Sequence, residues 1–170
     1  MGISGFEPSF LVGIEAVRQA HGSRLAALAD RRLTGFAVVR FAEDGEWFAD
    51  CPVVLDFDGL RVEVCHSKLD ELSIGWSTID TGATIAGWEW YERSPEWSRD
   101  DERLEPFVGR QLREVQLLEW RPPGPDMAAG TVAVEFVFDG DCLRISNGLD
   151  ENHIEIDAAH PGYLRHRLSH

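Results

Sequence analysis

The chain has 170 residues, 44% hydrophobic and 10% aromatic, which is enough apolar surface for one globular domain with a real core and too much for disorder. Its 30 Asp and Glu against 16 Lys and Arg give a formal net charge of −14, a field that repels phosphate backbones and anionic lipid and attracts basic surfaces, so nucleic acid and membrane are not expected partners. No apolar run approaches the ~20 residues that span a bilayer, the start MGISGF lacks a basic n-region, and Cys51, Cys65 and Cys142 form an odd set without C-x-x-C spacing, so a cytoplasmic protein with reduced thiols is expected.

In residues 1–32 the apolar positions Phe10, Leu11, Ile14 and Val17, then Leu25, Leu28 and Ala29, recur at helical spacing. This predicts a helical segment from Phe10 to about Arg32, split at Gly22 with Ser23 capping a second helix. After Leu33 the period changes to two, opening a first β repeat over 33–80. PVVLDFDGLRVEV reads as a hairpin about Asp58-Gly59, a dipeptide that tolerates the positive φ of a type I′ turn. With Phe57 facing Leu60, Leu55 faces Val62 and Val53 faces Val64, and these six share one face. On the other, wetter face Asp56 falls opposite Arg61 and Glu63 beside Val54; Cys51 and Cys65 are then expected on opposite faces.

Residues 81–107 form a linker with an expected strand from Trp88 to Tyr91 and a short helix opened by Ser94-Pro95 and closed before Pro106. A second repeat, 108–157, restates the first: a turn at Asp139-Gly140, with Val134, Phe136, Leu143 and Ile145 on one face and Glu135 opposite Arg144. A Gly-led strand is expected before each hairpin, at Gly35 and Gly109. Each hairpin continues into an LDE corner, Leu69-Asp70-Glu71 and Leu149-Asp150-Glu151. Residues 158–170 are a locally basic, loose tail. The expected fold class is α+β, mainly antiparallel β: a tandem duplication of a four-stranded meander, as a sandwich or a shared sheet within a single domain, with an N-terminal helix and a short helix between the halves.

VVLDFDGL resembles the first motif of haloacid dehalogenase-like phosphatases, which would make Asp56 the nucleophile and Asp58 the acid/base. The resemblance ends there: Leu60 stands where a hydroxylic residue belongs, a strand follows instead of a helical segment, and the second copy has Val137 in place of Asp56. HIEID places His153, Glu155 and Asp157 on one strand face with His160 nearby, a nitrogen and oxygen set able to hold a divalent ion in a metal-dependent hydrolase, or simply the polar face of a half-buried strand. No phosphate-binding glycine loop or local nucleophile signature is present, and no cofactor is expected.

Six tryptophans stand out: Trp47, Trp76, Trp88, Trp90, Trp97 and Trp120. Packing between the halves is their ordinary use, but Trp88 and Trp90 share one expected strand face beside Glu89 and Glu92 and form a candidate binding patch. Taken whole, WFADCPVVLDFDG with LDENHIEI and the two corners resembles a family of small actinobacterial proteins of unknown function, over most of residues 33–157; the resemblance implies no activity. The expectation is a non-enzymatic, acidic protein-binding module, an immunity-type protein neutralising a basic toxin being one concrete form, with a self-associating homodimer as a further candidate.

Overall fold

The two-residue period that begins at Leu33 is realised as antiparallel pairing throughout. A computed structural model describes residues 2–87 and 92–169. In chain order the elements are β1 (Leu11–Val12), α1 (Ile14–Ala26), β2 (Leu33–Phe41), β3 (Val53–Phe57), β4 (Leu60–Ser67), β5 (Glu71–Trp76), β6 (Pro95–Ser98), a 3-10 turn (Glu105–Phe107), β7 (Glu114–Trp120), β8 (Val132–Val137), β9 (Cys142–Asn147), β10 (Asn152–Glu155) and β11 (Tyr163–Arg167). One sheet runs β1-β5-β4-β3-β2-β6 and the other β10-β9-β8-β7-β11. The meanders β2–β5 and β7–β10 are the two repeats. In each, a fifth strand returns to pair with the first: β6 on β2 and β11 on β7.

Both hairpin registers agree with the expected ones: Phe57 pairs with Leu60 and Val53 with Val64, while Val134 pairs with Ile145 and Phe136 with Leu143. The inner faces meet as a sandwich. Phe57 stacks on Phe136 with ring centroids 5.6 Å apart and planes at 22°. Val17 and Leu25 of α1, with Leu104 and Phe107 around the 3-10 turn, join the same core. Each fully buried side chain of this size contributes about 1.5–3 kcal/mol, so this shared layer dominates stability.

Several expectations are corrected. The helix begins at Ile14 and runs unbroken through Gly22 and Ser23, because Gly22 is on the buried side with Val17 and Leu25 rather than at a chain reversal. Ser94-Pro95 opens no helix: Pro95 is the first residue of edge strand β6, where a missing N–H is harmless, and Trp97 packs into an outer apolar cluster. The expected strand from Trp88 to Tyr91 lies outside the described residues. Gly109 leads no strand; it turns at φ 88 and donates its N–H to the Leu33 carbonyl, tying the halves together. The tail is ordered as β11 because its basic residues find buried acceptors: Arg165 reaches Glu135 and Gln116, and His166 Nε2 lies 3.1 Å from Glu119.

The outer face of the first sheet is not wet. Ile3, Ile79 and Ile85 cover Val39, Val54 and Cys51. Segment 78–86 is held against the chain start by Asp80 N–H to Ser4 O and Ala86 N–H to Gly2 O. Glu63 is therefore only 3% exposed, and its carboxylate accepts from the Thr78 N–H and hydroxyl and from the Ile79 N–H at 2.6 Å. Cys51 joins Val54 on this face, the side of Cys65, since it precedes β3 in a turn where strand alternation no longer applies. Asp56 and Arg61 are register partners, yet no ion pair joins them: Asp56 accepts from the Gly59 N–H and Arg61 donates to the Ile79 carbonyl.

Candidate functional site

The aspartates of the DFDG stretch serve the turn. Asp56 Oδ1 accepts from Gly59 N–H at 2.7 Å and from the Thr34 hydroxyl, and Asp58 Oδ2 accepts from the Arg32 N–H at 2.9 Å. β3 leads directly into antiparallel β4, not into a helix. HIEID does lie at a sheet edge, but its side chains diverge: His153 Nδ1 is 3.4 Å from Glu155, Glu155 accepts from Arg144 at 2.7 Å, Arg144 also donates to the Asp157 carbonyl, and His160 packs on Trp120. Among the described residues no three His, Cys, Asp or Glu side chains converge as a metal site. Trp88, Glu89 and Trp90 lie outside the described residues. Glu92 is exposed and lines a groove of about 690 Å³ with Arg93, Pro95 and Trp97. The four described tryptophans are half-buried: Trp47 under Arg103 and Trp76 under Arg24 pack on the main core, Trp97 of β6 packs on the outer cluster, and Trp120 lies against Tyr163.

Glu135 and Arg144, register partners as expected, are 1% and 2% exposed and 2.9 Å apart. Glu155 and Arg165 complete this pair from β10 and β11, so its charges are matched and offer no free group to a substrate.

Cys65 and His66 suggest a thiol–imidazole pair only on paper. Adjacent residues of a strand face opposite ways. His66 points inward, its Nε2 3.3 Å from the Ile145 carbonyl, which requires the proton on Nε2; burial lowers its pKa to about 4 and keeps it neutral. Burial pushes the Cys65 thiol up to about 12, and Cys51 is raised for the same reason, so neither is a thiolate at neutral pH.

The end of the sandwich that carries both LDE corners is different. Asp139 follows Asp58 by 81 positions whereas Leu149 follows Leu69 by 80, and the missing residue is in the loop. β4 and β5 are joined by residues 68–70, whereas between β9 and β10 the Gly148 N–H donates to the Glu151 carbonyl and closes a two-residue turn of Leu149 and Asp150, at φ 65 and 72. The loops touch, Lys68 bridging to Asp150 and Asn147 donating to the Lys68 carbonyl. Asp50 approaches from the turn before β3, and partial burial, then the Asp150 charge, raise its pKa. Lys68, which lines the same groove, is 3.4 Å from Glu71 instead. Among the described residues no cation lies within ion-pair distance of Asp50, Asp150 or Glu151.

Two grooves flank this acidic ridge and share Asp50 as a wall. One, about 550 Å³, is lined by Phe6, Pro8 and Phe10 with Lys68 and Asp150. The other, about 570 Å³, is lined by Phe41, Trp47, Phe48 and Leu149 with Glu151 and His153. Leu149 is 81% exposed and Phe10 37%. The corners were visible in the sequence as a repeated tripeptide. Their apposition was not, because it depends on how the sheets pack. Asp50 belongs to a segment without periodicity, and the helical spacing that includes Phe10 puts it at the start of a helix, whereas it precedes β1 and lies outside α1.

The chain matches no protein-family model, no curated protein and no solved structure. No helix among the described residues is long and apolar enough to cross a membrane.

Proposed function

We propose that the protein is a non-enzymatic binding module whose acidic corner end docks a basic protein, in the manner of an immunity-type protein that covers a basic toxin. One observation supports this above the others: Leu149 is 81% exposed and held at φ 65 between carboxylates that lack a cation. A leucine in the left-handed region is disfavoured by about 1 kcal/mol or more, and an exposed one recovers nothing by burial. Folding alone does not account for it, whereas a partner that buries the side chain and supplies positive charge does. The net charge of −14 fits the same reading, since opposed fields accelerate encounter.

The test is kinetic, on a partner recovered from the native host. Its association rate should fall as salt shortens the screening distance below about 8–10 Å, with little change in dissociation. Leu149→Asp should speed dissociation at least about tenfold, the behaviour of an interface anchor. Trp88→Ala and Trp90→Ala test whether their segment extends the contact. A partner whose association ignores salt, or whose dissociation ignores Leu149→Asp, overturns the proposal.

A further inference from the structure

We infer that the corner end reads an extended segment in which one arginine or lysine is flanked on the same face by two apolar side chains, the cation seated between Asp50 and Asp150 and one apolar group in each groove. This rests on the docking reading above and narrows it to a partner chemistry. The sequence of surfaces across the ridge is apolar, acidic, apolar: Phe6 and Phe10, then Asp50 with Asp150, then Trp47 and Leu149. Its complement in one short stretch of chain is apolar, basic, apolar. Alternate residues of an extended strand share a face at intervals of about 6.6–6.8 Å, which delivers such a triplet.

The cation follows from charge complementarity. Asp50 and Asp150 repel one another across the ridge, and Lys68 is turned to Glu71. A guanidinium fits best, because its planar fork can bridge two carboxylates at once. The apolar flanks confer selectivity that charge alone lacks, and Leu149, projecting from a two-residue loop, is placed to close over one of them.

The probe is a capped seven-residue peptide, Gly-Leu-Ser-Arg-Ser-Phe-Gly, titrated into the full-length ¹⁵N-labelled protein. Amide shifts are expected at Asp50, Ser67, Leu149 and Asp150. Replacing the peptide's arginine by norleucine, or both its apolar residues by glycine, should each weaken binding about tenfold or more. Asp50→Asn with Asp150→Asn should do the same without lowering Tm, since it removes a like-charge contact and asparagine tolerates the left-handed φ at position 150.

Binding that persists without the apolar residues, with shifts spread over all surface acids, overturns the proposal while leaving the docking reading intact. So do shifts that cluster away from the corner. Tight binding of calcium alone to the Asp50 and Asp150 pair, or a dimer in sedimentation that is lost on Leu149→Asp, assigns the ridge to a metal or to a second copy and also overturns it. The docking reading itself falls only by the partner kinetics described above, so the two failures are distinguishable.

Discussion

Asn152 commits its whole side chain to the backbone of the other half. Its Oδ1 accepts from the His66 N–H at 2.7 Å, and its Nδ2 serves the carbonyls of Ala49 and Cys51 at 3.0 and 2.8 Å. The matching position of the first repeat is Leu72, which simply packs, so the duplicated corners have diverged into one apolar and one polar form. Asn152→Ala strands the buried His66 N–H and removes one bond to the Cys51 carbonyl, while the Ala49 carbonyl keeps the N–H of residue 152, and it should cost about 1–3 kcal/mol in urea unfolding. Asn152→Asp keeps the acceptor, loses the donors and buries a charge, so it should do no better. His66 next to it supplies a pH dependence with a definite sign. Its folded pKa of about 4 lies below its ordinary 6.5, so the native state favours the neutral ring. The contribution is complete above pH 6.5 and is lost as pH falls towards 4, at up to about 1.4 kcal/mol per pH unit. In His66→Gln, where the amide can still donate to Ile145, stability plotted against pH should flatten across that window. A slope unchanged by the substitution would place the acid sensitivity elsewhere.

At the scale of elements, the β9–β10 loop and the 78–86 strap oppose each other in kind. The loop places leucine at φ 65, where glycine would suffice for a two-residue hairpin. Leu149→Gly should therefore raise stability by up to about 1 kcal/mol while weakening partner binding, a division that no purely structural role for Leu149 produces. The strap instead depends on a buried acid. A Cβ on Gly75 would sit 2.6 Å from Glu63 Oε1, so Gly75→Ala should push the carboxylate off the Thr78 and Ile79 amides. Hydrogen exchange at Ile79 then reports the strap opening before the sheet does. What could be read from the sequence divides along the same line. Hairpins with Asp-Gly turns and alternating faces were legible down to the register, because local turn chemistry and period fix both. The strap was not, since Ile3, Ile79 and Ile85 are isolated apolar residues in no periodic run. Neither were β6 and β11: a strand that opens with proline and one rich in arginine carry weak local signals, and it is the waiting edges of β2 and β7 that order them.

On the scale of the whole molecule, the candidate site exists only because two meanders share one core. The acidic ridge takes Asp50 and Lys68 from the first half and Leu149 to Glu151 from the second, so half a chain has half a site. That makes cooperativity a functional matter. Each meander exposes an apolar face that the other covers, and Val17 and Leu25 of the N-terminal helix contribute to the joint layer, so the main core belongs to both halves and only the smaller outer cluster lies within the first. Fragments 1–107 and 108–170 should each be unfolded alone, and the intact chain should melt in one transition whether followed by far-ultraviolet circular dichroism or by tryptophan fluorescence. The decisive pair is Phe57 with Phe136, one ring from each half at 5.6 Å. Either phenylalanine replaced by alanine should cost about 3–5 kcal/mol. The double variant should cost less than the sum by about 0.5–3 kcal/mol, because the two deletions open one common cavity and the ring contact is lost only once. Strict additivity, or two separate melting transitions, would mean that the halves are independent domains, and the ridge between them would then be a hinge rather than a preformed surface.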